Sequence, residues 1–283
     1  MRFDVGGGLV LDGNDGPLLV TSFDPGAAGV RSQDVDNPVG NGRLFGRDRL
    51  GAPTWTFDVV TTVDDGDEAM ALAARLLALW RRRFEPGETV ALRYRLGGRW
   101  RRVYGRPGRF VGPDGGRLTV EGAASILATF RLADELHYGD DEHTASVGIV
   151  PASTGGLTLP ATFPWSGVSS GEPRAGAVRN DGDADAPVLV RFYGPVRDPW
   201  LSGPGWELRL RGSLAWDRWV EVDARAATVL RDDGASVAGM LSRRSRLSSL
   251  RLPPGDSQVR YGGVDGTGTS RVEVRWRDAW WSL

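Results

Sequence analysis

Along most of the chain, apolar and polar residues alternate over short runs, the period-two pattern of strands with one buried face. Leu18-Leu19-Val20-Thr21-Ser22-Phe23 and Thr54-Trp55-Thr56-Phe57-Asp58-Val59-Val60 carry β-branched and aromatic side chains that suit a pleated, half-buried surface, and predict two strands. Between them, Asp34 to Gly51 is polar and glycine-rich and reads as a long loop. One segment changes period. From Asp67 to Phe84, Leu72, Leu76, Leu77 and Trp80 recur on one face while Arg75, Arg81 and Arg82 sit largely elsewhere. That spacing predicts an amphipathic helix over 67–84 lying on a sheet, with Asp64 or Asp65 as N-cap and Pro86-Gly87 to stop it.

After the helix, Ala91 to Leu96 and Trp100 to Tyr104 flank Gly97-Gly98, which predicts a hairpin whose turn tolerates positive φ. A second hairpin is expected around Pro113-Asp114-Gly115-Gly116, leading into Arg117 to Glu121 as a strand. From Leu132 to Gly182 periodicity fades and glycine, proline, serine and acids gather, so the boundary is placed near Pro151, giving domains at 1–150 and 151–283. Beyond it, short apolar runs return at Pro187–Phe192, Trp206–Leu210, Trp219–Asp223, Val259–Tyr261 and Val272–Trp276. The fold class predicted is mainly β: an N-terminal α+β domain with one amphipathic helix, then a C-terminal β-sandwich.

Composition narrows the functions. A length of 283 residues suits two domains, and Gly 40 favours tight turns. Lys+Arg 35 against Asp+Glu 36 supplies no positive field for nucleic acid, and every basic residue is arginine. Cys 0 excludes disulfides, a thiol nucleophile and cysteine-held metal. The opening Met1-Arg2-Phe3-Asp4-Val5-Gly6 lacks the apolar core of a signal peptide, and no run suits a bilayer span, so the expectation is assembly in a cytoplasm without a membrane partner.

Asn180-Asp181-Gly182, then Pro187 through Phe192 with Tyr193-Gly194-Pro195, then Val222-Asp223-Ala224-Arg225, Asp233-Gly234 and Leu252-Pro253-Pro254-Gly255-Asp256-Ser257-Gln258-Val259 follow one another in an order that resembles the C-terminal domain of siphophage distal tail and minor tail proteins. Asp256 stands where that family usually has asparagine, and Leu247 or Leu250 where it often has tryptophan. The first half resembles the family's N-terminal domain in layout: a glycine-rich polar loop, a strand, one amphipathic helix and more strands. The resemblance covers most of the chain except about Asp134 to Arg179. It implies a galectin-like second domain and a ring-forming, commonly hexameric hub at the virion tail tip. Its implied partners are further copies, the tail tube protein, and the tail hub, tape-measure or receptor-binding proteins.

Candidate chemistry is thin. Gly167-Val168-Ser169-Ser170-Gly171 has the form of a hydrolase nucleophile elbow, but Glu172-Pro173 follows where a helix is needed, and His137 and His143 both lie upstream. Asp134-Glu135-Leu136-His137-Tyr138-Gly139-Asp140-Asp141-Glu142-His143 could ligate a cation, yet has neither zinc-protease nor calcium-loop spacing and reads as a solvated linker. Trp216 and Trp219, three apart, are expected on opposite faces of a strand, one of them in the core. Trp280-Trp281 suggests an exposed edge or subunit contact. Asp64-Asp65 and Asp232-Asp233 read as a helix cap and a turn. No catalytic, cofactor or metal residue is assigned and no enzyme is expected. The Asp34–Gly51 loop and Arg81, Arg82 and Arg83 are candidates for a subunit seam, the alternative for the arginines being solvation at the helix end. A carbohydrate-binding module, or adhesin for host cell-wall glycan, is the second reading, and a glycan hydrolase the third.

Overall fold

The computed structural model describes residues 1–6, 8–149 and 174–282 and is mainly β. The chain divides into two compact units, 1–140 with 281–283, and 141–280.

The first unit is a barrel-like sheet of β1 (Arg2–Gly6), β2 (Leu9–Asp12), β3 (Leu18–Asp24), β4 (Thr54–Thr61), β5 (Val90–Leu96), β6 (Arg99–Val111), β7 (Ser125–Leu132) and β8 (His137–Gly139). Its order is β7-β4-β3-β2-β1-β5-β6-β8, and an extra β6–β7 pairing, Gly105 opposite Leu132 through Val111 opposite Leu127, closes the ring. The closure needs a glycine: a Cβ on Gly105 would lie 2.2 Å from the Arg131 carbonyl oxygen. Period-two patterning sets the interior. In β4, Trp55, Phe57, Val59 and Thr61 are buried, and in β7, Ile126, Ala128, Phe130 and Leu132. The Trp55 ring meets Phe3, Phe23, Phe57 and Tyr94 with centroids 5.1–6.3 Å apart, mostly edge to face, the favoured geometry for aromatic quadrupoles.

Helix α1 (Gly66–Trp80) adds Leu72, Ala73, Leu76 and Trp80 to that core, and the Trp80 indole N–H donates to the Thr129 carbonyl at 2.9 Å. Of the two N-cap candidates, Asp65 serves, accepting from the Glu68 N–H at 2.8 Å. The helix ends before the expected residue 84. Beyond the Trp80 anchor come three charged side chains with nothing apolar to bury, and Glu85-Pro86-Gly87 turns the chain with Gly87 at φ +82°. The strand expected over Arg117–Glu121 is instead a short helix, α2 (Arg117–Val120). Its would-be neighbour β7 is already paired on both edges, with β4 and β6.

The second unit has two antiparallel sheets. One contains β9 (His143–Gly148), β11 (Leu189–Tyr193), β14 (Trp219–Asp223), β15 (Thr228–Arg231) and β17 (Arg271–Trp276), in the order β9-β17-β11-β14-β15. The other contains β10 (Arg174–Asn180), β12 (Val196–Gly203), β13 (Trp206–Arg209) and β16 (Gly255–Val264), in the order β10-β16-β12-β13, with Ser213–Leu214 added on β12. Their inner faces meet, with Phe192 and Tyr261 rings 6.1 Å apart. The stretch read as aperiodic linker thus contributes strands β8, β9 and β10. In particular, β9 pairs with β17, so residues 143–148 belong with the second unit rather than with the expected first domain. These strands are short and two are largely solvent-facing, which is why alternation did not reveal them. Among the described residues no helix is long and apolar enough to cross a membrane.

Candidate assembly interface

Between β3 and β4 the expected loop is an arm. Val30 pairs with Leu50 and Arg31 with Arg49, then Val35 with Leu44 and Asp36 with Arg43, forming two successive rungs of one long hairpin. Local sequence builds its tip: the Asn37 N–H donates to the Gly42 carbonyl at 3.0 Å, and the Asn37 side-chain oxygen accepts from the Val39 N–H at 3.1 Å. Asp34 accepts from the Gly46 N–H at 3.0 Å, and Arg43 lies 3.8 Å from Asp34 and 3.7 Å from Asp36. No residue from Pro25 to Pro53 is buried. Val39 is 94% exposed, Phe45 86%, and Val30, Val35, Leu44 and Leu50 are exposed too. A two-stranded ribbon without a covered face is marginal in water, and exposed ion pairs contribute little. Apolar side chains strung along such a ribbon make it a candidate surface for contact with another chain.

A second apolar surface lies where α1 begins. Met70, Leu118 and Val120 are exposed there, beside an open groove of about 490 Å³ lined by Asp65, Gly66, Asp67, Met70, Gly115, Thr119 and Val120. The three seam arginines are not equivalent. Arg82 is bonded to Glu88 at 2.8 Å and lies over the Phe84 ring, and the Arg81 N–H closes the helix on the Leu77 carbonyl.

The two histidines and Asp140, singled out in the sequence as possible ligands, are tied into the structure. His137 is buried, not solvated as a linker would be: its Nδ1 lies 2.7 Å from the Tyr94 hydroxyl in a hydrogen bond, and its ring stacks on Trp55. Burial, reinforced by the Arg101 charge, lowers its pKa to about 4, and burial raises that of Tyr94 to about 12. Asp140 accepts from Arg93 and Arg102. Although burial alone would raise its pKa, these bonds hold it below the usual carboxylate range. His143 is paired with Asp278 at 3.0 Å and stacked on Trp276. Thus the expected linker cluster is split between the two units and woven into both. No group of three or more His, Asp or Glu among the described residues is placed to hold a metal ion.

Neither Trp216 nor Trp219 is in the core, contrary to expectation. Trp216 precedes β14 and is 61% exposed, while Trp219 is partly covered by the Arg191 guanidinium at 4.3 Å. Trp281 is exposed. Asp232 pairs with Arg218, and Asp233 with Arg231 and the Ala235 N–H around the Gly234 turn. Residues 167–171, with the nucleophile-elbow form, lie outside the described residues.

The ordered motif of the second half has a structural explanation. Buried Asn180 donates to the Ala184 and Leu252 carbonyls and accepts from the Gly182 and Ala279 N–H groups. One amide ties the adjacent turn at Gly182 and Ala184 to Leu252 and Ala279, far away in sequence, so Asn180 and Leu252 belong to one device. Asp223 accepts from the Arg225 and Ala226 N–H groups to turn the chain after β14.

No family model and no curated protein matches the chain by sequence. Solved structures do match in shape. The Dit protein of phage SPP1, described as a paradigm of hub adsorption apparatus in Gram-positive infecting phages, aligns over 93% of both chains with a TM-score of 0.56 and 15% identity. A chain of the phage P2 baseplate in its activated conformation with Ca aligns over 97% of this chain and 96% of that one, with a TM-score of 0.53 and 11% identity. At such identities the likeness is one of fold, and it extends through both units: the chain has the fold of phage tail hub and baseplate proteins.

Proposed function

We propose that this chain is a structural protein of a long-tailed bacteriophage, a distal tail hub that joins the tail tube to the tail-tip or host-recognition apparatus. The observation that carries the reading is a match to tail hub and baseplate structures over nearly the whole length of each chain, not over one common module. The arm supports it, since an unburied ribbon bearing Val39 and Phe45 is explained by contact with other copies or neighbours. In this reading the first unit closes a ring, commonly of six, through a heterologous contact whose rotation closes. The second unit, as a galectin-like sandwich, faces the next tail component. The histidines and paired acids act as ties, and the chain does no chemistry.

The test is the mass of the native assembly together with electron microscopy. A closed six-fold ring is expected. A monomer at all concentrations, alone and with its tail-tube partner, would remove the hub reading. Exposed Trp216 favours one competing reading, glycan binding. That reading requires saturable fluorescence quenching by host wall polysaccharide, abolished by Trp216→Ala, and the hub reading expects no quenching.

A further inference from the structure

The first unit carries two uncovered apolar surfaces, and the topology puts them at opposite ends of one strand. The arm re-enters the barrel at Thr54, where β4 starts; the groove begins at Asp65, just past its end at Thr61. Eight residues of strand separate the ends by roughly 25 Å. The surfaces also differ in charge. Arg47 and Arg49, with Asp48 between them, leave a net positive charge beside Phe45 and Leu50, and neither arginine makes an ion pair within the described residues. Asp65 and Asp67 line the groove, and Asp67 likewise pairs with no described arginine. Asp65 is occupied as the helix cap.

We propose that the groove lined by Met70, Thr119 and Val120 is the receptor for the arm of a second copy of this chain. An arm residue, Val39 at the tip or Phe45 behind the last rung, seats against the apolar floor, and arm arginines face the acidic rim. An apolar edge with positive flanks fits an apolar floor with a negative rim in both respects. Because donor and receptor sit at opposite ends of the unit, each copy gives its arm to one neighbour and receives from another. Such a contact is directional and propagates around a ring. The inference rests on the ring reading and names the surfaces that make it.

The absence of cysteine makes the test direct. Single variants Val39→Cys and Phe45→Cys on the arm, and Val120→Cys and Met70→Cys at the groove, change exposed positions only. Oxidising an equal mixture of one arm variant with one groove variant is expected to give a disulfide-linked pair containing one of each. The yield should exceed by at least about tenfold that with a control cysteine at exposed Asp15, since seating raises the local thiol concentration. A double variant should give a ladder ending at the ring. Homodimers of the arm variants alone would mean arm pairs with arm, and overturn the proposal. An intact ring by native mass with no arm-to-groove link in any of the four combinations overturns it too, but spares the hub reading. The absence of any ring, both alone and with the tail-tube partner, overturns both.

Discussion

Lowering the pH should loosen the first unit through one residue, His137. Its imidazole is buried against Trp55 and bonded to Tyr94, and its pKa is about 4 in the folded chain against an ordinary 6.5. Between those values the unfolded chain takes up a proton that the folded chain refuses, so stability falls as the pH drops from about 6.5 and stops falling through this group near pH 4. A gap of about 2.5 pH units at about 1.36 kcal/mol each amounts to about 3 kcal/mol, a large share of the stability of a small domain. Above pH 6.5 the contribution is fully present. The comparison protein is His137→Gln, which cannot titrate and leaves His143 unchanged. Urea unfolding followed segment by segment with pulsed hydrogen exchange reads β5 and β8 separately from the second unit. Wild type should lead the variant by about 3 kcal/mol more at pH 7 than at pH 4. Parallel pH profiles for the two proteins would refute the reasoning, since the buried neutral imidazole would then contribute nothing to the linkage.

Other substitutions test the ties elsewhere. Asp140→Ala removes the carboxylate shared by Arg93 and Arg102 and should cost the first unit about 2 kcal/mol in urea unfolding at neutral pH. Asp265 has a pKa of about 2: burial alone would raise it, but bonds from Ser270 and Thr267 outweigh that. Its contribution is therefore present above the ordinary 3.8 and lost as the pH falls toward 2, and Asp265→Asn should lower second-unit stability at pH 7 by about 2 kcal/mol. Asp65→Ala removes the cap of α1 and should cost about 1 kcal/mol, visible as faster amide exchange in the first turn. A Cβ on Gly182 would lie 1.8 Å from the Ala279 carbonyl oxygen, so Gly182→Ala should shift the melting of the second unit sharply downward, whereas Gly239→Ala, with open space around it, should leave it nearly unchanged.

What the sequence determined by itself was what neighbouring residues decide. Alternation of Trp55, Phe57 and Val59 makes a strand whichever sheet receives it, and the apolar stripe of α1 with an aspartate before it makes a capped helix. Gly97-Gly98 makes a hairpin turn because both residues accept positive φ, here +62° and +93°. The ordered turn residues of the second half already resembled a tail-protein domain. The tertiary structure decided what depends on distant partners. Arg117–Val120 coils rather than extends because both edges of β7 are taken, and His137 is buried because β8 finds β6. Asn180 has its role only because Leu252 and Ala279 come to it from the far end of the chain. The interface was half legible. Glycine and charge between Asp34 and Gly51 announced a surface segment, but only the paired ladders showed that its apolar residues stand uncovered, because exposure is set by what the whole fold leaves unpacked and not by the residues in the segment.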